Sequence, residues 1–152
     1  MPIIALSDLP PKGSLLGLDP GSKAIGVAGC DANRLIATGL EAIPRGKKLA
    51  PVLDRLFDLY DQRRSVGFVV GLPINMDGTE GPSAQSARSL ARHILQRRDI
   101  PLALWDERLS TAGAERALLE ADTSRARRDE LIDKLAAAWI LQGAIDRLQE
   151  DR

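Results

Sequence analysis

The spacing of the apolar residues changes once along the chain, and this change limits the possible folds more than any other feature. Up to residue 43 the apolar residues form short runs separated by turn-forming clusters, of which Asp19-Pro20-Gly21-Ser22 is the strongest. Such runs, joined by tight turns, predict an antiparallel meander of three strands. Beyond Pro44 the apolar residues recur at helical spacing, and helices then alternate with two further apolar runs.

The predicted elements follow one another in the order βββαβαβαα. Strands are predicted over residues 14–18, 24–30, 35–43, 66–72 and 101–105. Helices are predicted over residues 49–64, from an N-cap at Ser83 through Ile94, over 109–119, and from about 129 to 148. This order places the strands in a central five-stranded mixed sheet, with the first three strands antiparallel and helices on both faces. It is the element order of the ribonuclease-H-like fold.

The length of 152 residues fits one domain with one core. Residues 1–13 are interpreted as an N-terminal tail that ends in the breaker cluster Pro10-Pro11-Lys12-Gly13, and residues 14–150 as the single domain. No apolar run approaches the length of a membrane span, and the first nine residues lack the basic start of a secretory signal. A cytoplasmic location is therefore expected.

The chain offers few residues for nucleophilic or histidine-based catalysis. It contains one cysteine, Cys30, within an apolar run, and one histidine, His93, without a nearby orienting partner. An enzyme with this sequence must therefore rely on carboxylates. With 21 basic and 21 acidic residues and only 3% aromatic residues, contacts to nucleic acid are expected to reach the phosphate backbone rather than to stack on bases.

Three acidic residues stand where the predicted elements end or begin. Asp19 follows the first strand, Glu107 follows the fifth, and Asp133 lies near the start of the last helix. Because ligands of open sheets gather at the carboxyl ends of strands, these carboxylates are predicted to converge. Together they suit Mg²⁺ or Mn²⁺, and two such ions would activate a water and stabilise the leaving oxygen of a phosphodiester. Taken singly, each acid is equally compatible with a turn, a solvated surface or a helix start.

Four ordered segments resemble the YqgF family, relatives of Holliday-junction resolvases. The first is Leu16-Gly17-Leu18-Asp19-Pro20-Gly21-Ser22-Lys23 with the following Ile25-Gly26-Val27-Ala28. The second is the loop motif over residues 69–82, which begins Val69-Val70-Gly71-Leu72-Pro73. The last two are Asp106-Glu107-Arg108-Leu109-Ser110-Thr111 and Ile132-Asp133-Lys134-Leu135-Ala136-Ala137. The resemblance extends over about residues 15–145.

This resemblance implies a ribonuclease-H-like fold and a bacterial nuclease that matures the 5′ end of small-subunit precursor ribosomal RNA. Asp19, Glu107 and Asp133 match the positions of the family's presumed catalytic acids. Related resolvases place an acid at the end of the fourth strand, so Asp77 is an alternative to Glu107. The family often carries an arginine after the lysine of its first motif, whereas this chain has Ala24.

Basic and amide side chains around the motifs are candidate contacts to the substrate. For the arginine run a solvated loop is the alternative interpretation, and for Lys134 a plain surface lysine. The candidates are Lys23, Asn75, Arg108, Arg125, Arg127, Arg128 and Lys134.

Other functions remain open at this point. Resolution of four-way DNA junctions would use the same chemistry, and the acids cannot distinguish RNA from DNA. A non-catalytic nucleic-acid-binding module is a further alternative. An actin-like ATPase would need two such lobes, for which 152 residues are too few. Ribosomal particles are conceivable partners, and the sequence leaves the oligomeric state open.

Overall fold

A computed structural model of the chain describes residues 2–109 and 125–150, and only the backbone of residues 125–130. The strands are β1 (Leu16–Pro20), β2 (Ala24–Cys30), β3 (Ala37–Pro44), β4 (Phe68–Leu72) and β5 (Leu102–Asp106). The helices are α1 (Ala50–Gln62), α2 (Pro82–Arg97) and α3 (Arg125–Glu150). Short 3₁₀ turns cover Leu6–Asp8 and Glu107–Leu109.

The strands form one mixed sheet in the order β3-β2-β1-β4-β5. β2 is antiparallel to both β1 and β3, while β1, β4 and β5 run parallel. The predicted fold class, including the antiparallel start, is confirmed. Because β3 runs in the same direction as β1, the strands β1, β3, β4 and β5 all end at one edge of the sheet, here called the carboxyl edge.

Helices cover both faces of the sheet, as predicted. α1 and α2 pack on one face, where Leu16, Leu18 and Val70 point into a cluster that includes Leu56 of α1 and Ile94 of α2. α3 packs on the opposite face, here called the α3 face. Successive residues of a strand point to opposite faces. The residues next to Leu16, Leu18 and Val70 in their strands, such as Gly17 and Gly71, therefore face α3.

Glycines on three neighbouring strands let α3 lie close to the sheet. A Cβ built on Gly17 would stand 2.6 Å from Cβ of Leu141, and one on Gly39 would stand 2.9 Å from Cβ of Lys134. A Cβ built on Gly26 would overlap the main chain of Asp133, at 2.8 Å from its carbonyl carbon. No other residue type fits these positions while α3 stays where it is.

Residues 2–13 pack against the sheet. The amide of Ile4 donates to the carbonyl of Leu102 at 3.0 Å, and Leu9 is buried beside the α3 core. Buried Arg34 donates to the carbonyls of Pro10 and Gly13 at 2.5 and 2.7 Å. The guanidinium of one side chain thus fixes the end of this segment.

Several predicted boundaries are wrong. α2 begins at Pro82 with Gly81 as its N-cap, so Ser83 lies inside the first turn. α3 begins at Arg125, not near 129, so residues 125–128 are helical and the loop interpretation is wrong. On α3, Ile132, Ala136 and Ile140 are buried as predicted, but Leu135 and Trp139 are only partly buried. The helix predicted over 109–119 lies outside the described residues beyond Leu109. No described helix is long and apolar enough to cross a membrane.

Candidate active site

Asp19 lies in β1, one residue before its end, and points to the α3 face. It pairs with Gly26 across the antiparallel ladder, and side chains of directly paired residues share a face. Gly26 contacts α3, and Asp19 is buried with 8% of its surface exposed. The turn after it is fixed by a bond from the Gly21 amide to the Asp19 carbonyl at 2.9 Å. Asp19 is thus held by its pairing with β2 on one side and by the turn that follows it.

Glu107 lies on the same face as Asp19, but it comes from the edge strand β5. It follows β5 directly, with β4 between β5 and β1. A Cβ built on Gly71 of β4 would stand 2.6 Å from Oε1 of Glu107 and 3.3 Å from the carbonyl oxygen of Leu18. The Glu107 carboxylate therefore lies over Gly71, close to Leu18, the residue that precedes Asp19 in β1.

Asp133 is brought to this edge by α3. Its main chain packs on Gly26, the ladder partner of Asp19. The side chain of Asp133 is partly exposed. The three predicted acids therefore come from β1, from the turn after β5 and from α3. Asp19 and Glu107 lie on the α3 face near the carboxyl edge, and the main chain of Asp133 packs beside Asp19.

Carboxylate oxygens are the ligands that Mg²⁺ and Mn²⁺ prefer, so the donor chemistry of these three residues fits a hard divalent cation. Among the described residues, however, no three acidic, histidine or cysteine side chains stand close enough together to hold a metal ion. The acids share a surface without forming a closed set of ligands.

Asp77, the alternative to Glu107, belongs to a different structure. Its Oδ1 accepts hydrogen bonds from the amide and the hydroxyl of Thr79 at 3.0 and 2.6 Å, which lower the pKa of Asp77. Asn75 donates from Nδ2 to the same hydroxyl at 3.0 Å. Both residues are exposed and brace the loop between β4 and α2. The predicted substrate contact Asn75 is thus engaged within its own loop.

The predicted basic contacts differ in how far they are already engaged. Arg108 donates to both carboxylate oxygens of Asp106, with contacts of 2.8 to 3.1 Å, and thereby lowers the pKa of Asp106. Lys134 packs over Gly39 and helps to lower the pKa of Glu41, an effect due first to the hydrogen bond from Arg55.

Lys23 is exposed and forms no ion pair with the residues that are described. For Arg125, Arg127 and Arg128 only the helical backbone at the start of α3 is described.

Two glycines and one arginine contribute to this region although the sequence did not predict them as site residues. Gly71 and Gly26 leave the space in which Glu107 and α3 lie, and a glycine inside a strand is a signal of such close approach. Arg45 donates from Nε to the carbonyl of Gly21 at 2.7 Å, and its amide donates to the carbonyl of Lys23 at 2.8 Å. Nothing in the sequence signals this contact, because it joins the end of β3 to the turn after β1.

A mixed sheet of this order, with α3 across one face and carboxylates at its carboxyl edge, defines an α/β protein of the ribonuclease-H-like class. Solved structures agree with this fold. RuvC of Thermus thermophilus in complex with a Holliday junction substrate superposes with a TM-score of 0.56 at 15% identity, covering 91% of this chain and 96% of that chain. Another structure of Thermus thermophilus RuvC gives a TM-score of 0.54 at 17% identity, covering 90% and 96%.

Sequence comparison defines the family. The profile of the RuvX family, described as Holliday junction resolvase, matches residues 13–147. A protein of Bradyrhizobium sp. strain BTAi1 is 55% identical over 97% of this chain and 92% of its own length. One of Cereibacter sphaeroides is 55% identical over 94% and 89%. Both carry the name pre-16S rRNA nuclease, given there as a provisional assignment. The chain belongs to the RuvX family, which is the same family as YqgF, so the resemblance found in the four sequence motifs is confirmed.

Proposed function

We propose that this protein is a metal-dependent endonuclease that hydrolyses phosphodiesters in the precursor of 16S ribosomal RNA, at its 5′ end. The observation that supports the proposal is that Asp19 and Glu107 lie on the α3 face near the carboxyl edge, with the main chain of Asp133 packed on the ladder partner of Asp19. The relatives named as pre-16S rRNA nucleases support the choice of substrate. Ribosomal particles as partners and a cytoplasmic location follow from that choice.

The three acids would hold Mg²⁺ or Mn²⁺, one ion or two, at the surface where a phosphodiester can approach. When bound, the metal would polarise the scissile phosphate and lower the pKa of an attacking water. The described carboxylates form no group of three at metal-binding separation, so their side chains must turn towards one another when a cation binds. Asp19 is the most restrained of the three by its burial, and we assign it the part of fixed ligand.

A second candidate activity is the cleavage of four-way DNA junctions. It is favoured by the description of the RuvX family and by the fold shared with RuvC. The same three acids would serve, because the chemistry at the phosphate is identical. The substrate, and not the mechanism, distinguishes the two candidates.

The test compares cleavage of a pre-16S RNA fragment, duplex DNA and a four-way DNA junction, with and without Mn²⁺ or Mg²⁺. The wild type is measured beside Asp19→Asn and beside Asp58→Asn, an exposed acid of α1 that serves as the matched control. We expect metal-dependent RNA cleavage that Asp19→Asn abolishes and Asp58→Asn preserves. Cleavage of the DNA junction alone would show that the substrate is DNA and not RNA. RNA binding without metal-dependent cleavage would contradict the nuclease proposal and indicate a nucleic-acid-binding module.

A further inference from the structure

The loop between β3 and α1, residues 45–49, is positively charged and lies beside the turn that follows Asp19. Residues 44–53 contain Arg45, Lys47 and Lys48 and no acidic residue. Both lysines are exposed, and neither forms an ion pair with a residue in the described part of the chain. By contrast, Arg108 on the β5 side is held by Asp106. Among the side chains that the structure describes, Lys47 and Lys48 are therefore cations without an ion pair on the β3 side of the carboxyl edge.

Arg45 ties this loop to the candidate active site. Its Nε donates to the carbonyl of Gly21 at 2.7 Å, and its amide donates to the carbonyl of Lys23 at 2.8 Å. Its Nη2 is buried and has no hydrogen-bond partner among the described residues. Burial of this side chain lowers the pKa of Arg45. A buried donor without a partner is costly, so the two hydrogen bonds to the turn after β1 are needed to hold Arg45 in this position.

The same loop borders an open groove at the start of α1. An open groove of about 420 Å³ is lined by Lys47, Lys48 and the first turn of α1. α1 begins after Leu49 without a hydrogen bond from a capping side chain. The partial positive charge at this helix start adds to that of the lysines.

We propose that the β3–α1 loop binds the phosphates of the nucleic-acid strand on the β3 side of Asp19. Lys47 and Lys48 contact the phosphates, and Arg45 is a positioning residue that holds the loop against the turn after Asp19. The strand then crosses the carboxyl edge from this loop, past Asp19, towards Glu107. This inference rests on the proposed function, since it assigns the path of that substrate.

The experiment measures the salt dependence of binding in the Asp19→Asn background, where no cleavage disturbs the equilibrium. The ligand is a fluorescently labelled single-stranded RNA that spans the 5′ boundary of 16S rRNA, titrated at several KCl concentrations. Each phosphate contact contributes about 0.7 to the slope of log K against log salt for a single strand. We expect Lys47→Gln/Lys48→Gln to make this slope about 1.4 shallower.

The matched control is Lys12→Gln/Arg92→Gln, which removes the same charge from exposed residues elsewhere. We expect the control to keep the slope of the parent. An equal change in both double variants, or no change in either, would overturn the proposal. Thermal unfolding of all variants verifies that the fold is retained.

Arg45→Lys separates positioning from charge, because it keeps the cation but loses the Nε bond to Gly21. In the otherwise wild-type enzyme we expect kcat to fall at least tenfold, while in the Asp19→Asn background the salt slope of binding stays unchanged. An unchanged kcat would remove Arg45 from the proposal. Binding and cleavage are independent measurements, so a wild type that binds RNA through the loop but never cleaves it would refute the nuclease proposal and leave the loop assignment standing.

Discussion

The carboxylate of Glu107 lies over Gly71, where a Cβ would stand 2.6 Å from Oε1. The same Cβ would stand 2.7 Å from Cδ1 of Ile140 on α3. The absence of a side chain in β4 thus creates the space for an acid that follows β5. The position of Glu107 depends on its neighbouring strand as much as on its own.

Gly71→Ala should therefore displace Glu107 at a moderate cost to the fold, because the two nearest atoms are ends of flexible side chains and the third, the carbonyl oxygen of Leu18, stands 3.3 Å away. We expect kcat to fall about 100-fold, the scale of a misplaced catalytic group. The free energy of unfolding should fall by about 1–3 kcal/mol, as for other overpacked sites. Gly81→Ala is the control, since the nearest atom to its added Cβ, Nδ2 of Asn75, stands at an ordinary contact distance of 3.6 Å. Equal activity of the two variants would argue against Glu107 as a catalytic group.

Substitution of each carboxylate by its amide distinguishes Glu107 from Asp77 as the catalytic acid. Glu107→Gln should lower kcat by about 100-fold or more, the scale of one lost electrostatic contact to a transition state. Asp77→Asn should retain activity, because an amide oxygen can still accept the hydrogen bonds from Thr79. Single-turnover cleavage of the pre-16S RNA fragment measures both. If Asp77→Asn abolished activity and Glu107→Gln retained it, Asp77 and not Glu107 would be the third catalytic acid.

The pair of Arg108 and Asp106 predicts a dependence of stability on pH. The hydrogen bonds from Arg108 lower the pKa of Asp106 in the folded protein below the ordinary value that it has when unfolded. The pair therefore stabilises the fold fully above that ordinary pKa, and its contribution is lost as the pH falls through the folded pKa. In Arg108→Gln we expect the pKa of Asp106 to rise, as measured by NMR titration of its carboxyl carbon. Arg98→Gln, whose partner is Asp61, should leave the pKa of Asp106 unchanged.

Arg34 should matter for stability far more than a comparable arginine on the surface. Arg34→Gln removes the donors that bind the carbonyls of Pro10 and Gly13, and we expect a loss of about 3 kcal/mol in unfolding free energy. Arg64 shares the positive φ of Arg34, at 53° against 56°, but is exposed. Arg64→Gln should change stability by less than about 0.5 kcal/mol. Urea denaturation compares the two, and faster amide exchange at Ile4 would show that residues 2–13 have loosened.

The sequence predicts the parts of this fold that depend on local periodicity. The β-meander follows from short apolar runs and tight turns, and the 24–30 strand is predicted without error. The position of Asp19 and Glu107 near one edge follows from the rule that parallel strands end together. These inferences need only residues that are close in sequence, or a rule that holds for every open sheet.

Other features depend on contacts that no local pattern reveals. Pro10 and Pro11 suggest a tail, yet the carbonyl of Pro10 binds Arg34, which lies 24 residues further along. The arginine-rich start of α3 looks polar and loop-like, although arginine is a good helix former. Gly71 is visible in the sequence, but the acid that occupies its space follows a different strand.

The glycines beneath α3 also determine when the molecule can become active. The sheet of β1 to β5 is encoded entirely before residue 107, whereas Asp133 belongs to a helix that begins at Arg125. During translation, every strand leaves the ribosome before α3 does. A nascent chain at that stage contains Asp19 and Glu107 but lacks Asp133. On our proposal the active site is completed only when α3 docks on Gly17, Gly26 and Gly39, so a chain that still lacks α3 is expected not to cleave RNA.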